Sequence, residues 1–198
     1  MTRTCNHHAD VCVIGGGMAG LTAALAAARH GANVILMHDR PVLGGNASSE
    51  CRVHICGADR HNNVPNARET GILEELRLAN LRCNRQRSFS VWDTVLYDAA
   101  RREERLTGLL NCSACEAEMD GRRIGSVTGW QTTTQIRHRV SARVFIDASG
   151  DAVLAPLKEH EQIVDGEIRR YRQEQNRKAQ EQQRKAEERY DRKVEKVV

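Results

Sequence analysis

The segment from Asp10 to Asp39 reads DVCVIGGGMAGLTAALAAARHGANVILMHD and decides the fold. Its first residues are β-formers, and a run of glycines follows them. An alanine-rich helix is predicted from Leu21 to His30, and a second strand from Val34 to Met37. The order of strand, tight turn, helix and strand is that of a nucleotide-binding βαβ unit.

Three glycines in the turn, Gly15, Gly17 and Gly20, fit the spacing G-x-G-x-x-G. Gly15 allows a sharp turn, Gly17 lets a diphosphate approach the backbone, and Gly20 lets the helix pack closely on the sheet. The diphosphate would lie among the free N–H groups at the helix N-terminus. A β-branched residue at position 17 is expected to fill that space and to meet a φ value that only glycine tolerates.

A carboxylate is expected at the end of the second strand, where it would hold the ribose hydroxyls of an adenosine. By spacing this position is His38, with Asp39 beside it. Three interpretations stay open at this point. Asp39 supplies the carboxylate after a small shift, His38 donates a hydrogen bond instead, or the two residues belong to an ordinary turn.

The next loop, residues 41–50, is rich in glycine and in neutral polar side chains. Gly44 and Gly45 give a flexible backbone, and Asn46 and Ser49 offer hydrogen-bonding groups without charge. Such a loop can surround a phosphate or the polar edge of a ring, although an ordinary surface loop has the same composition. Its place directly after a βαβ unit favours the ligand-binding interpretation.

Helices and strands alternate unevenly after this loop. Amphipathic helices are predicted over residues 66–81 and 90–104. Asp120-Gly121 is a strong hairpin signal. Strands are predicted over residues 106–110, 113–119, 123–130, 135–140 and 144–146.

At this point the chain resembles a known family. The glycine motif, followed by the pair Gly44-Gly45, looks like the FAD-binding half of glutathione-reductase-like flavoproteins. The amino-acid sequences of residues 44–50 and of Arg52–Asp59 are similar to those of a bacterial group of FAD-dependent oxidoreductases. The resemblance implies an α/β, Rossmann-like FAD-binding domain with a parallel sheet and a small antiparallel β-meander. The cofactor that it implies is FAD.

The same resemblance assigns further positions. It places Ala114 beside the adenine, and it likens Asp147–Asp151 to the motif that ends the sheet near the FAD diphosphate. Trp92 is interpreted as a core residue more readily than as a flavin contact. The residues predicted to bind FAD are Gly15, Gly17, Gly20, Asp39, Gly44, Gly45, Asn46, Ser49, Ala114 and Asp151. No catalytic residue is assigned; the polar groups nearest the expected flavin face are Glu50, Arg52 and His54.

The resemblance is expected to end near Leu157. Residues 158–198 are rich in Glu, Gln, Arg and Lys and contain one glycine and no proline. They predict a long charged C-terminal helix, either a weak coiled coil that supports a homo-oligomer or a solvated single helix. The predicted domains are therefore 1–157, which binds FAD, and 158–198, a helical tail.

Three functions are compatible with these patterns. The first is the FAD-binding part of a flavin-dependent oxidoreductase that takes a hydride from an unidentified small molecule and lacks its substrate domain. The second is a non-catalytic nucleotide-binding or interaction module that dimerises through the tail. The third is a natural domain up to Leu157 that carries an unrelated helix.

Composition excludes several other classes. The formal net charge is +4 with acids and bases interspersed, so nucleic-acid binding is not expected. No apolar run reaches membrane-spanning length, so a membrane span is not expected and a cytoplasmic location is expected. The seven cysteines are expected to be reduced thiols. For the spacing Cys112-Ser-Ala-Cys115, core packing is favoured over a redox pair.

Two histidine patterns are also interpreted without a metal. The ligand-type residues His54, Cys56, Asp59 and His61 lack a second cluster that would complete a zinc site. The pair His7-His8 is expected to belong to a frayed terminus.

Overall fold

A computed structural model describes residues 3–58 and 67–157, together with residues 170, 173, 174, 177, 178 and 181. A short 3-10 helix lies at Gly45–Ala47. The other helices and strands are, in chain order, β1 Thr4–Ile14, α1 Met18–Arg29, β2 Val34–Met37, α2 Gly71–Cys83, α3 Phe89–Arg101, β3 Leu106–Leu109, β4 Cys112–Asp120, β5 Arg123–Gln131 and β6 Ile136–Asp147.

The strands form one sheet in the order β3-β2-β1-β6-β5-β4. The first four strands of that order are parallel, whereas β6-β5 and β5-β4 are antiparallel. The antiparallel part is the predicted meander, and its first hairpin turns at Gly121, whose φ is +60°. The predicted α/β, Rossmann-like fold is therefore confirmed.

Strand β6 differs from the prediction of two separate strands, 135–140 and 144–146. It runs without interruption from Ile136 to Asp147 and pairs with β1 along nearly its whole length. The polar sequence Ser141-Ala-Arg143 is typical of a connection. Because it contains no glycine or proline, the strand continues through it once β1 offers a partner edge.

The pair His7-His8 was predicted to be frayed, and that prediction was wrong. Both residues belong to β1, where they lie opposite Val140 and Ser141 of β6. The Nε2 atom of His7 lies 2.9 Å from Nδ1 of His138. The start of the chain is ordered because β6 extends far enough to bind it.

The short strand β2 separates two hydrophobic cores. Val34 and Leu36 face the helices, and Ile35 and Met37 face the meander. All four side chains are buried, as expected for a central parallel strand covered on both faces. The domain therefore has three layers: helices, parallel strands and meander.

The helix boundaries differ modestly from prediction. Helix α1 begins at Met18, three residues before the predicted start, and ends before Gly31, whose φ is +91°. Helix α2 begins at Gly71 instead of residue 66, which lies outside the described residues. Helix α3 spans Phe89–Arg101 instead of 90–104.

Arg29 links the helices of the helical layer to one another. Arg29, in the last turn of α1, makes two contacts of 2.6 and 2.7 Å with the carboxylate of Glu75 in α2. Its Nε lies 2.7 Å from Glu103, just after α3. The hydrogen bonds from Arg29 lower the pKa of Glu75. Because these groups are partly solvated, the cluster orients the helices more than it stabilises them.

The chain divides into two compact units, residues 1–158 and 159–198. In the second unit, the described residues are helical, and Lys178 lies 2.9 Å from Glu174, one turn away. The rest of the predicted tail helix lies outside the described residues. Among the helices that the structure describes, none is long and apolar enough to cross a bilayer.

The hydrogen bonds of Gln131 fix the protonation of the histidine pair. Gln131 Nε2 donates to the Leu110 carbonyl, so its Oε1 accepts from His138 Nε2 at 3.1 Å. His138 Nδ1 is then unprotonated and accepts from His7. Burial, followed by repulsion between the two rings, lowers the pKa of His138; burial and His8 lower that of His7.

We predict that the free energy of unfolding decreases as the pH falls below about 6.5, the ordinary histidine pKa. The folded state holds His7 and His138 neutral, so the unfolded chain binds more protons and gains stability on acidification. Denaturant unfolding followed by circular dichroism between about pH 7.5 and about pH 5.5 measures the slope.

The matched control is His7→Gln, because glutamine keeps an N–H donor but does not titrate in this range. The pH slope should be shallower in this variant than in the natural protein. A free energy of unfolding that stays constant or rises on acidification would contradict the prediction.

Candidate functional site

The site is built where the carboxyl ends of β1, β2 and β6 meet. The N–H of Gly15 donates to the carbonyl of Met37 at 2.8 Å, and the N–H of Ala148 donates to that of Ile14 at 2.8 Å. These bonds continue the sheet beyond the strands and bring two separate motifs together. This edge is where open α/β sheets bind ligands.

Two of the three motif glycines are required by the backbone itself. Gly15 has a φ of +99°, and a Cβ there would lie 2.3 Å from the carbonyl oxygen of Ala148. A Cβ on Gly20 would lie 1.8 Å from the carbonyl oxygen of Gly15. The close approach predicted for Gly20 is confirmed. Gly20 packs against the turn at Gly15 and against Ala148.

Gly17 has a different role. Its φ is −63° and its ψ is 178°, values that any residue adopts, so the predicted glycine-only φ was wrong. The nearest atom to an added Cβ would be the Cα of Gly45, 4.0 Å away. Gly17 precedes α1, whose N-terminus receives no side-chain cap and has no acidic residue in its first turn. The space beside Gly17 therefore suits an anion that can bind these N–H groups.

The Gly-Gly loop lies against the glycine turn. The N–H of Gly44 donates to the Gly16 carbonyl at 2.8 Å, and Gly44 forms a parallel bridge with Gly17. Gly44 and Gly45 both have positive φ, +107° and +57°. The structure therefore brings Gly44 and Gly45 next to Gly17, although 27 positions of sequence separate Gly17 from Gly44.

Asp93 anchors the far end of this loop. Its Oδ1 accepts the N–H of Ser49 at 2.9 Å, and the residue is only 8% exposed. The backbone carbonyl of Asn46 accepts the N–H of Val53 at 2.9 Å. Sequence reasoning missed Asp93. The available signal was a carboxylate in register with the buried Leu96 and Ala100 of α3.

His38 serves the loops, and Asp39 is left facing the site. The N–H of Gly16 donates to Nδ1 of His38 at 2.9 Å, so Nε2 carries the proton and donates to the carbonyl of Val42 at 3.0 Å. Burial lowers the pKa of His38, which is 4% exposed, and keeps it neutral. Its 3.3 Å contact with Asp39 is therefore no ion pair. The Asp39 side chain is 60% exposed.

Four of the predicted residues line one small cleft of about 100 Å³: Gly15, Asp39, Ala114 and Asp151. The closing motif is shaped by Asp147, which accepts from the N–H and hydroxyl of Ser149 and from the N–H of Leu154. Partial burial would raise the pKa of Asp147, but these hydrogen bonds outweigh it and lower the pKa. Asp147 was not singled out in the sequence.

A larger cavity of about 750 Å³ lies beyond the Gly-Gly loop. Its walls are Ala47, residues 53–55, Ala67 and Arg68, helix α2, the loop 84–88 and the start of α3. Trp92 lines this cavity and also packs in the helical core, so the core interpretation of Trp92 holds.

The polar groups expected near the flavin face separate in the structure. His54 lines the large cavity. Glu50 lies 3.4 Å from Arg40, and Arg52 donates from Nε to the carbonyl of Ser49. Of these three residues, only His54 lies in a cavity wall.

The cysteine and metal alternatives gain no support. Burial raises the pKa of Cys112 to about 12, and the thiol of Cys115 donates to the Thr128 carbonyl. Residues three apart on a strand face opposite sides, and raised pKa values disfavour the thiolate that redox chemistry needs. Among the described residues no group of three metal-ligating side chains exists. Asp59 and His61 lie outside the described residues.

Comparisons with known proteins give the family. A relative, the sarcosine oxidase subunit alpha of Corynebacterium sp. (strain U-96), is 36% identical over 97 residues, which is 48% of this chain and 10% of the relative. THI4 of Thermovibrio ammonificans has a similar fold, with a TM-score of 0.50 and 19% identity over 72% of this chain and 57% of that one. A geranylgeranyl bacteriochlorophyll reductase-like protein of Thermoplasma acidophilum gives 0.49 and 18%, over 73% and 40%.

The chain thus spans a tenth of the curated relative, 57% of the THI4 structure and 40% of the reductase-like structure. The model of the family described as FAD dependent oxidoreductase matches residues 10–198. The match continues past Leu157, where the resemblance was expected to end, and so includes the tail. The chain belongs to the FAD dependent oxidoreductase family, and FAD is the cofactor of that family.

Proposed function

We propose that this chain is the FAD-binding part of an oxidoreductase that takes a hydride from a small molecule. The observation that carries the proposal is the uncapped N-terminus of α1, which adjoins open space at Gly17. The carboxylate of Asp39 lies at the same edge of the sheet. An anion site next to a ribose-binding carboxylate is what a dinucleotide requires.

The diphosphate would bind at the start of α1. Backbone N–H groups and the helix dipole attract it there without a positively charged side chain. Gly17 leaves space for the diphosphate, and the positive φ values of Gly44 and Gly45 turn the neighbouring loop around the same space. Because His38 and Asp93 tether these loops, the site needs little reorganisation when the cofactor binds.

The adenosine half would lie along the small cleft. Asp39 would accept hydrogen bonds from the ribose hydroxyls, and the backbone near Ala114 would border the adenine. Asp151, at the other wall, would accept from a hydroxyl. The neutral His38 would act as a positioning residue, since both of its ring nitrogens already bind the backbone.

When bound, FAD supplies the two-electron chemistry, and the protein supplies binding and orientation. No described residue is assigned as a catalytic acid or base. Self-association through the tail remains a prediction.

The proposal predicts that the purified protein is yellow and releases FAD on denaturation. Chromatography of the released chromophore, followed by dithionite reduction and reoxidation of the intact protein in air, tests it. Recovery of only FMN, or of NAD without flavin, would show that the proposal is wrong. A folded protein that binds nucleotide but no flavin would fit the non-catalytic module instead.

Gly17→Val should abolish flavin binding and leave the fold intact. The valine has an allowed φ and meets no protein atom closer than contact distance at Cβ, so it only fills the expected diphosphate space. Flavin absorbance per folded protein and the circular dichroism melting curve measure the two effects separately.

The matched comparison is Gly20→Val, whose Cβ would collide with the Gly15 carbonyl. This variant should lose stability as well as flavin. If Gly17→Val keeps a normal flavin content, the diphosphate does not bind at this turn.

Asp39→Ala should weaken FAD binding about tenfold, or about 1.4 kcal/mol, because it removes a carboxylate that accepts from ribose hydroxyls. Equilibrium titration of apoprotein with FAD measures the affinity. Asp98→Ala is the control, since Asp98 is a similarly exposed carboxylate on α3 that pairs with Arg102, away from the small cleft. Equal FAD affinities for the two variants would show that Asp39 does not contact the cofactor.

A further inference from the structure

The large cavity has the size of a ligand site and is separate from the predicted FAD residues. Its volume, about 750 Å³, lies within the range of small-molecule pockets, roughly 300–1,000 Å³. None of the ten residues predicted to bind FAD is in its wall. Ala47, which belongs to the short 3-10 helix after Gly44, connects the two regions.

Part of the cavity wall is apolar and exposed. Leu81 is 71% exposed and Val53 is 53% exposed, and Leu78 lies beside them in the same wall. Phe89 and the buried Trp92 also line the cavity. Large aliphatic side chains in a concave wall favour a ligand with an apolar body, because that ligand removes them from water.

The charged part of the wall is positive. The lining contains three arginines, and one of them, Arg68, pairs with Glu74. Among the residues that the structure describes, neither Arg77 nor Arg87 has a carboxylate partner. Two guanidinium groups beside an apolar wall are an arrangement that attracts an oxyanion, which the planar guanidinium can bind through two hydrogen bonds.

The loop that carries Arg87 is held by the side-chain hydrogen bonds of Asn84. The buried Asn84 side chain donates to the carbonyl of Ser88 at 2.7 Å and accepts its N–H at 2.8 Å. Within this turn Arg87 has a φ of +52°, in the left-handed region that side chains other than glycine rarely adopt. Such strain is retained mainly at functional positions, and here it directs a residue of the cavity wall.

We propose that this cavity binds the substrate of the flavin site and that this substrate is an apolar small molecule carrying an oxyanion, gripped by Arg77 and Arg87. The identification of this ligand as a substrate rests on the proposed function. The binding of an anionic amphiphile rests on the cavity alone. Carboxylate and phosphate share the recognition chemistry, so the experiment separates them.

Three probes with the same apolar chain test the proposal: octanoate, octyl phosphate and neutral octanamide. Calorimetric titration of the full-length, flavin-loaded protein gives the affinities. The site is located by the emission of Trp92 in a Trp130→Phe background, since the chain has two tryptophans. We expect one of the anions to bind at least tenfold more tightly than octanamide and to change the Trp92 emission saturably.

The variant Arg77→Gln/Arg87→Gln should lose this tenfold preference and keep its flavin content. Arg122→Gln is the control, because Arg122 is an exposed arginine in the β4–β5 turn, outside the cavity. The single variant Arg87→Gln, at an exposed position, gives the same test if the double variant fails to fold.

The outcomes are distinct. Tighter binding of octanoate identifies a carboxylate ligand, and tighter binding of octyl phosphate identifies a phosphate. Equal binding of octanamide, no saturable binding, or an unchanged preference in the arginine variants overturns the proposal. A protein that binds the anions but no FAD would contradict the proposed function and leave the cavity site standing.

Discussion

The close approach of three backbone segments is the constraint on which the site depends. The Gly15 turn, the start of α1 at Gly20 and the closing motif at Ala148 lie within contact distance, and added Cβ atoms would collide with carbonyl oxygens at 1.8 and 2.3 Å. Only this approach lets α1 point its N-terminus at the carboxyl edge of the sheet. The helix dipole is therefore available to a ligand because glycine occupies the two positions at which a side chain would collide with the backbone.

The loops around this turn are held by three polar side chains, of which His38 and Asp93 are buried. His38 binds both Gly16 and Val42, Asp93 binds Ser49, and Asp147 binds Ser149 and Leu154. A buried polar group is costly unless it is bonded, so His38 and Asp93 each fix one loop geometry against alternatives. Asp147 shapes the closing motif through its three hydrogen bonds. The preorganised site is the consequence of these three anchors together with the glycines.

The sequence predicts what local periodicity encodes. The βαβ unit, the meander turn at Gly121 and the order of motifs follow from turn chemistry and apolar spacing. The continuous strand β6, the ordered His7 and the anchoring role of Asp93 do not, because each depends on a partner far away in the chain. His38 shows the limit most clearly: its position suggested a ligand contact, while its burial gives both nitrogens to the backbone.

The two regions proposed to bind anions would attract them by different physical means. At α1 the attraction comes from backbone N–H groups, which cannot titrate and which lie next to a close-packed turn. At the large cavity it comes from the guanidinium groups of Arg77 and Arg87 near solvent, where dissolved salt screens them. A permanent cofactor suits the first kind of site and an exchanging small molecule suits the second. The Gly-Gly loop, which borders both regions through Gly44 and Ala47, is the element that would bring the two ligands together.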